Sequence, residues 1–266
     1  MTSLARIGPW PLGGLRAARL VERNVMVYRR TWLVIVSGFF EPLFYLLGIG
    51  FGLGALIGDV PGPDGRPIPY GVFVAPALLA TSAMNGAIYD STFNVFFKLR
   101  YAKTYDAVLS TPLGVGDVAL GEVAWALIRG TLYALGFLVV TVLLGLARSP
   151  LVVLTVPAAM LVGFAFAAVG MAATTFMRRW TDFDFIFVVT LPLFLFSATF
   201  YPITAYPDAL RVLVVATPLY HGVDLIRGLS TGVVGPALLG HVVYLAVMGL
   251  AGVAVVWRRL DRLLLK

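Results

Sequence analysis

A serine, two histidines and three charges set among apolar residues are the groups in this chain whose types and spacing could do chemistry. Gly228-Leu229-Ser230-Thr231-Gly232 has the G-x-S-x-G spacing of a nucleophile elbow, and His241 follows it as a candidate base. Acyl transfer by such a serine needs a strand–turn–helix in an α/β sheet to present the hydroxyl. Ser230 lies in a glycine-rich stretch between apolar runs that supply no sheet, so serine hydrolysis is not expected. His221 and His241 have no cysteine or carboxylate at ligand spacing, and the chain has no cysteine, so neither a metal site nor a disulfide is expected. A phosphate-binding loop requires Gly-Lys followed by Ser or Thr. Lys98, Lys103 and Lys266 follow Phe97, Ala102 and Leu265, so no such loop exists. If ATP drives this protein, another polypeptide must hydrolyse it.

The remaining reactive groups are Glu41, Asp90 and Arg129, and the elements around them explain their interest. Hydrophobic residues make up 60% of the chain and charged ones only 12%, against about a quarter in soluble domains. Six apolar stretches, at 31–57, 71–97, 124–147, 151–176, 186–204 and 235–257, approach or exceed the roughly 20 residues a helix needs to cross a bilayer. The expected fold is all-α and integral to the membrane, with residues 1–30 as an N-terminal segment and 31–266 as one six-span domain. No short apolar core with a small-residue cleavage site precedes the first span, so a secretory signal is not expected. A charge at the bilayer centre costs at least roughly 2.5–3.5 kcal/mol on insertion scales, which makes each buried charge a candidate functional group. Asp90, eight residues before Lys98, lies about 12 Å into its span at 1.5 Å per residue, and Arg129 is similarly deep in the next. An Asp90–Arg129 pair that fixes helix packing is expected. Glu41 lies nearer mid-membrane, as a proton site, a substrate contact or the partner of Asn85 or Asn94.

The net charge of +7 reports topology. Fifteen cations fall on one side: Arg6, Arg16, Arg19, Arg23, Arg29, Arg30, Lys98, Arg100, Lys103, Arg178, Arg179, Arg258, Arg259, Arg262 and Lys266. Four fall on the other: Arg66, Arg148, Arg211 and Arg227. By the positive-inside rule both termini are expected in the cytoplasm, with the basic side against anionic lipid. Nucleic-acid binding is not expected, because no folded soluble face carries the charge. Residues 12–30 are expected to form an amphipathic helix in the cytoplasmic interface. Arg16, Arg19, Arg23 and Arg30 form its stripe, with Ala18, Val21, Val25 and Tyr28 opposite. The small residues Gly50, Gly54 and Gly58 at the end of the first span should admit a close helix neighbour.

Two segments between spans are long enough to carry function. The cytoplasmic one, 98–123, should begin with a short helix over about 99–110 that stops before Pro112. Tyr101, Tyr105 and Leu109 recur at i, i+4 and i+8, anchors suited to a partner's pocket or to lying flat on the interface. The extracytoplasmic one spans about 200–234.

Certain residues, in this order and topology, resemble the permease subunits of ABC type-2 exporters, and are similar to the nodulation-factor exporter permeases and the daunorubicin-resistance permeases. They are Arg29-Arg30 before Glu41-Pro42; Arg100, Thr104, Leu109, Ser110-Thr111-Pro112-Leu113 and Gly121; and Ala216-Thr217-Pro218-Leu219-Tyr220-His221 with Asp224 and Arg227. The resemblance covers nearly the whole chain. It implies a coupling helix that docks a cytoplasmic ATPase, mapping here to Tyr101, Lys103, Thr104, Tyr105, Asp106 and Leu109, closed by Thr111 and Pro112. It implies short re-entrant helices over about Phe200–Gly232, with breaks at Tyr201-Pro202, Tyr206-Pro207 and Pro218, and with Tyr220, His221 and Arg227 among their residues. It implies a second permease, alike or different, and no cofactor on this chain, ATP and magnesium belonging to the ATPase. Many members carry a carboxylate-rich coupling loop, whereas tyrosines and Lys103 surround a single Asp106 here. The implied cargo is amphiphilic: a lipid-linked or lipo-oligosaccharide, or a hydrophobic drug. Phe183, Phe185, Phe187, Phe194, Phe196, Phe200 and Tyr201 could stack on its rings or form a lipid-facing belt. The rivals are a proton-driven transporter working through Glu41 and a membrane scaffold that moves nothing.

Overall fold

The computed structural model describes residues 13–30 and 32–264; Arg6, Lys266 and the first residue of the expected N-terminal helix lie outside the described residues. Its long apolar runs form helices, which satisfy each backbone polar group within the element. In chain order they are α1 (Gly13–Arg30), α2 (Trp32–Tyr45), α3 (Gly54–Ile57), α4 (Tyr70–Tyr89), α5 (Thr104–Leu109), α6 (Val115–Leu143), α7 (Thr155–Thr174), α8 (Phe183–Leu195), α9 (Asp208–Ala216), α10 (Pro218–Thr231) and α11 (Pro236–Leu264). A π-helical stretch, Leu46–Leu53, joins α2 to α3, and two more, Asp90–Asn94 and Phe97–Tyr101, extend α4. The proline-glycine turn after the first span is a small hairpin in which β1 (Asp59–Pro61) pairs antiparallel with β2 (Pro67–Pro69).

Among the described residues five helical runs are long and apolar enough to cross a membrane: Phe40–Ile57, Tyr70–Tyr101, Val115–Leu143, Pro150–Thr174 and Pro236–Leu260. The α9–α10 pair, bent by 85°, makes a sixth candidate. The chain is therefore an all-α membrane protein with five or six crossing elements, but the fifth expected span is corrected. Over 186–204 the sequence reads as one apolar run, yet α8 ends at Leu195 after 13 residues. Such a helix is roughly 20 Å long, short of a bilayer core of about 30 Å. Pro192 cannot donate to the preceding turn, and Ala198 takes a left-handed φ of 54° that no helix continues through.

The core is built on α4 and α7. Their side chains, with Leu219, Val223 and Ile226 of α10 and Leu245 of α11, form the main apolar cluster. A second cluster at the basic end joins Leu20 of α1, Tyr105 and Val108 of α5, Val115 and Val118 of α6, and Val256 of α11. Close approach of α1 to α6 depends on Gly121, where a Cβ would come within 2.7 Å of the Leu20 side chain and 3.2 Å of the Ala17 carbonyl. Ala17, Leu20 and Asn24 are consequently buried, while Arg16, Arg19, Arg29 and Arg30 stay exposed. Val25 remains exposed as an apolar flank should, but Tyr28 is half-buried and turned toward polar groups in α4 and α6, a correction to its expected place on the apolar side. Gly50 and Gly54 face Val74 and Tyr70 of α4, so the glycine string does admit a neighbour; Gly58 instead takes a φ of 74° at the turn into β1.

Candidate functional site

The cytoplasmic segment is shorter and more firmly held than its sequence suggests. The expected helix over 99–110 is broken: the π-turn ends at Tyr101, Lys103 takes a left-handed φ of 46°, and α5 starts afresh at Thr104. Tyr101 and Tyr105 therefore do not share a face. Tyr101 is exposed and packs on Phe96 and Phe97. Tyr105 is 1% exposed, so its reading as an anchor for a partner is corrected: it anchors α5 to its own protein. Burial pushes the Tyr105 phenol well above its ordinary pKa, and the neighbouring Glu122 carboxylate adds to the effect. Thr104 and Leu109 are half-buried. The surface that remains is formed by Lys103, Asp106, Ala107, Ser110, Thr111 and Pro112, all exposed.

That surface is tied to the bundle at several points. Lys98 Nζ donates to both carboxylate oxygens of Glu122 at 2.8 and 2.7 Å, the two side chains being 16% and 5% exposed. Arg16 donates to the Pro112 carbonyl at 3.4 Å, joining α1 to the end of the segment. The Asp117 carboxylate accepts from the Gly114 amide at 2.8 Å and caps α6. The expected start of the third span at 124 is thus too late; α6 begins at Val115, and Asp117 and Glu122 belong to it. On the same side the Asp182 carboxylate accepts from the Arg178 and Arg179 amides at 2.7 and 3.1 Å, and those two bonds hold its pKa below the ordinary value.

Deeper in the bundle Asp90 and Arg129, expected as a pair, lie 2.7 Å apart with side chains 7% and 8% exposed. Around them is a set that the spacing of apolar residues does not disclose. Asn94 donates to Asp90 at 2.8 Å, while Arg129 donates to the Tyr133 hydroxyl at 2.9 Å and to the Tyr28 hydroxyl at 3.3 Å. The Tyr28 ring also lies under the guanidinium, 4.9 Å from ring centre to its carbon. Asp90 and Asn94 bound a π-turn, a local widening that recurs at functional sites. A small cleft lined by Ser82, Gly86, Gly130 and Tyr133 opens beside the pair. Glu41 joins none of this. It is exposed on α2 with no partner among the described residues, and Asn94 is taken by Asp90, so its expected pairing with Asn85 or Asn94 is not formed.

At the other end α9 and α10 meet at 85° around Thr217-Pro218. The Thr217 hydroxyl accepts from the Tyr220 amide and contacts the Ser197 hydroxyl at 2.9 Å, capping α10 with Pro218 in the first turn. Arg227 is buried. It donates to the carbonyls of Phe73 at 3.1 Å and Ala198 at 2.8 Å, and stacks 3.9 Å over the Phe73 ring, pinning α10 to α4 and to the turn after α8. Tyr206 is buried against the exposed Tyr201, ring centres 4.7 Å apart, and Pro202 is half-buried beside them. Tyr220 and His221 are half-buried. The expectation that the histidines lack a carboxylate is corrected: His241 reaches Asp224 at 3.0 Å and His221 at 2.7 Å, because three residues along α10 bring His221 and Asp224 to one side facing α11. Among the described residues no group of three or more His, Cys, Asp or Glu is placed to hold a metal ion.

Residues 17–230 match the ABC-2 type transporter family. The chain is 32% identical over 259 residues to nodulation protein J of Rhizobium leguminosarum bv. viciae, covering 95% of this chain and 98% of that protein. It is 34% identical over 208 residues to nodulation protein J of Sinorhizobium fredii, covering 77% and 78%. A third relative, nodulation protein J of Rhizobium leguminosarum bv. trifolii, is 34% identical over 234 residues, covering 87% and 84%.

Proposed function

The chain belongs to the ABC-2 type transporter family and is a multi-pass permease of the bacterial cytoplasmic membrane, and on that premise we propose that it is the membrane half of an ATP-driven exporter for an amphiphilic cargo. Two permeases, identical or of two kinds, assemble with two separate ATPase subunits, which bind the ATP and magnesium that this chain has no loop to hold. Both termini and the 98–123 segment face the cytoplasm in this reading, which the fifteen-to-four division of cations supports. Residues 200–234 lie on the outer side as a re-entrant element.

One observation carries the reading: an exposed edge, polar at Lys103, Asp106 and Thr111 and ended by Pro112, lies beside a buried anchor, Tyr105. Such an edge suits a docking surface, and its ties suit the transmission of force. When ATP closes the ATPases, a push on α5 bears on α6 through Tyr105 and Lys98–Glu122, and on α1 through Arg16. The three elements then move as a unit and open a path between permeases, a two-state change biased by nucleotide. The cargo class is a lipid-linked or lipo-oligosaccharide or a hydrophobic drug. Phe185, Phe187, Phe196 and Tyr201 are exposed and available to stack on its rings, whereas Phe183 is buried between Phe93 and Phe96 and is not.

The test is purification from detergent of the wild type beside Asp106→Arg/Thr111→Arg. The wild type should bring down an ATP-hydrolysing subunit, and the double variant should lose it while staying folded. No ATPase with the folded wild type would favour the proton-driven or scaffold readings, and Glu41 would become the next target.

A further inference from the structure

Asp224, His241 and His221 form a continuous chain across the contact of α10 with α11. Asp224 Oδ2 lies 3.0 Å from His241 Nε2, and His241 Nδ1 lies 2.7 Å from His221 Nδ1. These contacts fix the tautomers once Asp224 is ionised. With Asp224 ionised, His241 donates from Nε2 and, when neutral, has a bare Nδ1. The hydrogen bond between the two Nδ1 atoms then takes its proton from His221. His221 Nε2 is left with a free lone pair and makes no hydrogen bond among the described residues. The outer imidazole is half-buried, lies face-on to the Tyr244 ring at 3.9 Å, and has the Tyr220 ring edge-on at 5.8 Å.

We propose that Asp224, His241 and His221 are a proton-binding site that clamps the α9–α10 element to the last helix. One proton from solvent forms an N–H bond at His221 Nε2. The bond between the Nδ1 atoms is kept, and the charge of the three groups goes from minus one to zero. A second proton would place N–H groups on both facing Nδ1 atoms and break the link.

Arg227 and Tyr220, both on α10, act on Asp224 through charge, and the other neighbours are held elsewhere. Arg227, one turn along α10, is committed to two carbonyls. Tyr244 donates to the Ala216 carbonyl at 3.1 Å, a second tie from α11 to α9. On α9, Arg211 pairs with Asp208 at 3.2 Å. α7 and the turn Pro150–Leu154, also packed on α10, carry no titratable side chain. Tyr70 opens α4, and Asp184 lies in the first turn of α8.

The proton site stands on geometry and goes beyond the exporter reading; only the side of the membrane it faces rests on that reading. The chain has two histidines, so nitrogen-15 histidine labelling gives two rings to follow. The experiment is solid-state NMR of the full chain in lipid nanodiscs, with an affinity tag free of histidine, titrated over about pH 5 to 8. The expected result is one ring in each tautomer at the alkaline end, then one shared proton uptake, with the second delayed to lower pH. Asp224→Asn should lower the first midpoint by about one pH unit, the effect of losing a nearby carboxylate. His241→Gln, a second variant, should leave His221 titrating alone. Two rings that take protons independently, with a midpoint that Asp224→Asn leaves in place, would overturn the proposal whether or not an ATPase partner is found.

Discussion

Asp90 and Arg129 show what one residue decides in an apolar span. Each charge alone would be costly, and the two are made tolerable by each other and by Asn94, Tyr28 and Tyr133. Removing one partner of a buried pair strands the other, at about 3–5 kcal/mol. Asp90→Leu and Arg129→Leu should each lower stability by that order in detergent unfolding, and the double substitution by less than the sum of the two. Additive losses would mean that the pair contributes nothing as a pair. At the surface Asp182 makes a prediction with a sign. Two backbone amides depress its folded pKa, so its contribution to stability is present above the unfolded value of 3.8 and is lost as pH falls through the lower folded value. The Arg178 and Arg179 amide resonances should shift together in that acid window, and Asp182→Asn should abolish the shift.

Among the elements, α5 departs most from its sequence pattern. The recurrence of Tyr101, Tyr105 and Leu109 describes a continuous helix, but the left-handed Lys103 restarts the chain and turns Tyr105 inward. Nothing in a run of letters announces a single residue in that conformation. Tyr105→Ala should therefore act as a core truncation, costing about 3–5 kcal/mol in detergent unfolding as for other large aromatic side chains. Asp106→Arg, fully on the surface, should leave stability within about 0.5 kcal/mol. Gly121 sets the seat of α1. Gly121→Leu should detach α1 from α6, which protease access to the α1–α2 junction would report. Packing conditions that pattern cannot carry also account for α8, whose apolar run continues where Pro192 and Ala198 end the helix. Asp224 was in plain view three residues from His221, but its value depends on α11 bringing His241 across.

Over the whole molecule, the membrane class, the apolar runs and the depth match of Asp90 with Arg129 were legible because they follow from composition and rise per residue alone. The polar set around that pair was not, since it needs three helices in register. The topology on which the proposed docking edge depends can be checked directly, because a chain without cysteine is a clean background. Asp64→Cys should react with an impermeant maleimide from outside intact cells, and Ser110→Cys only after permeabilisation.

An ATPase docked on the proposed edge over Tyr105 would lie against residues 106 and 111. A photo-crosslinking residue placed in turn at positions 64, 105, 106 and 111, in cells, tests it most directly. Docking there should give a crosslink to an ATP-binding protein from 106 and 111, and none from the buried 105 or from 64. Crosslinks from 64 and none from 106 or 111, in a chain shown to be folded, would contradict it.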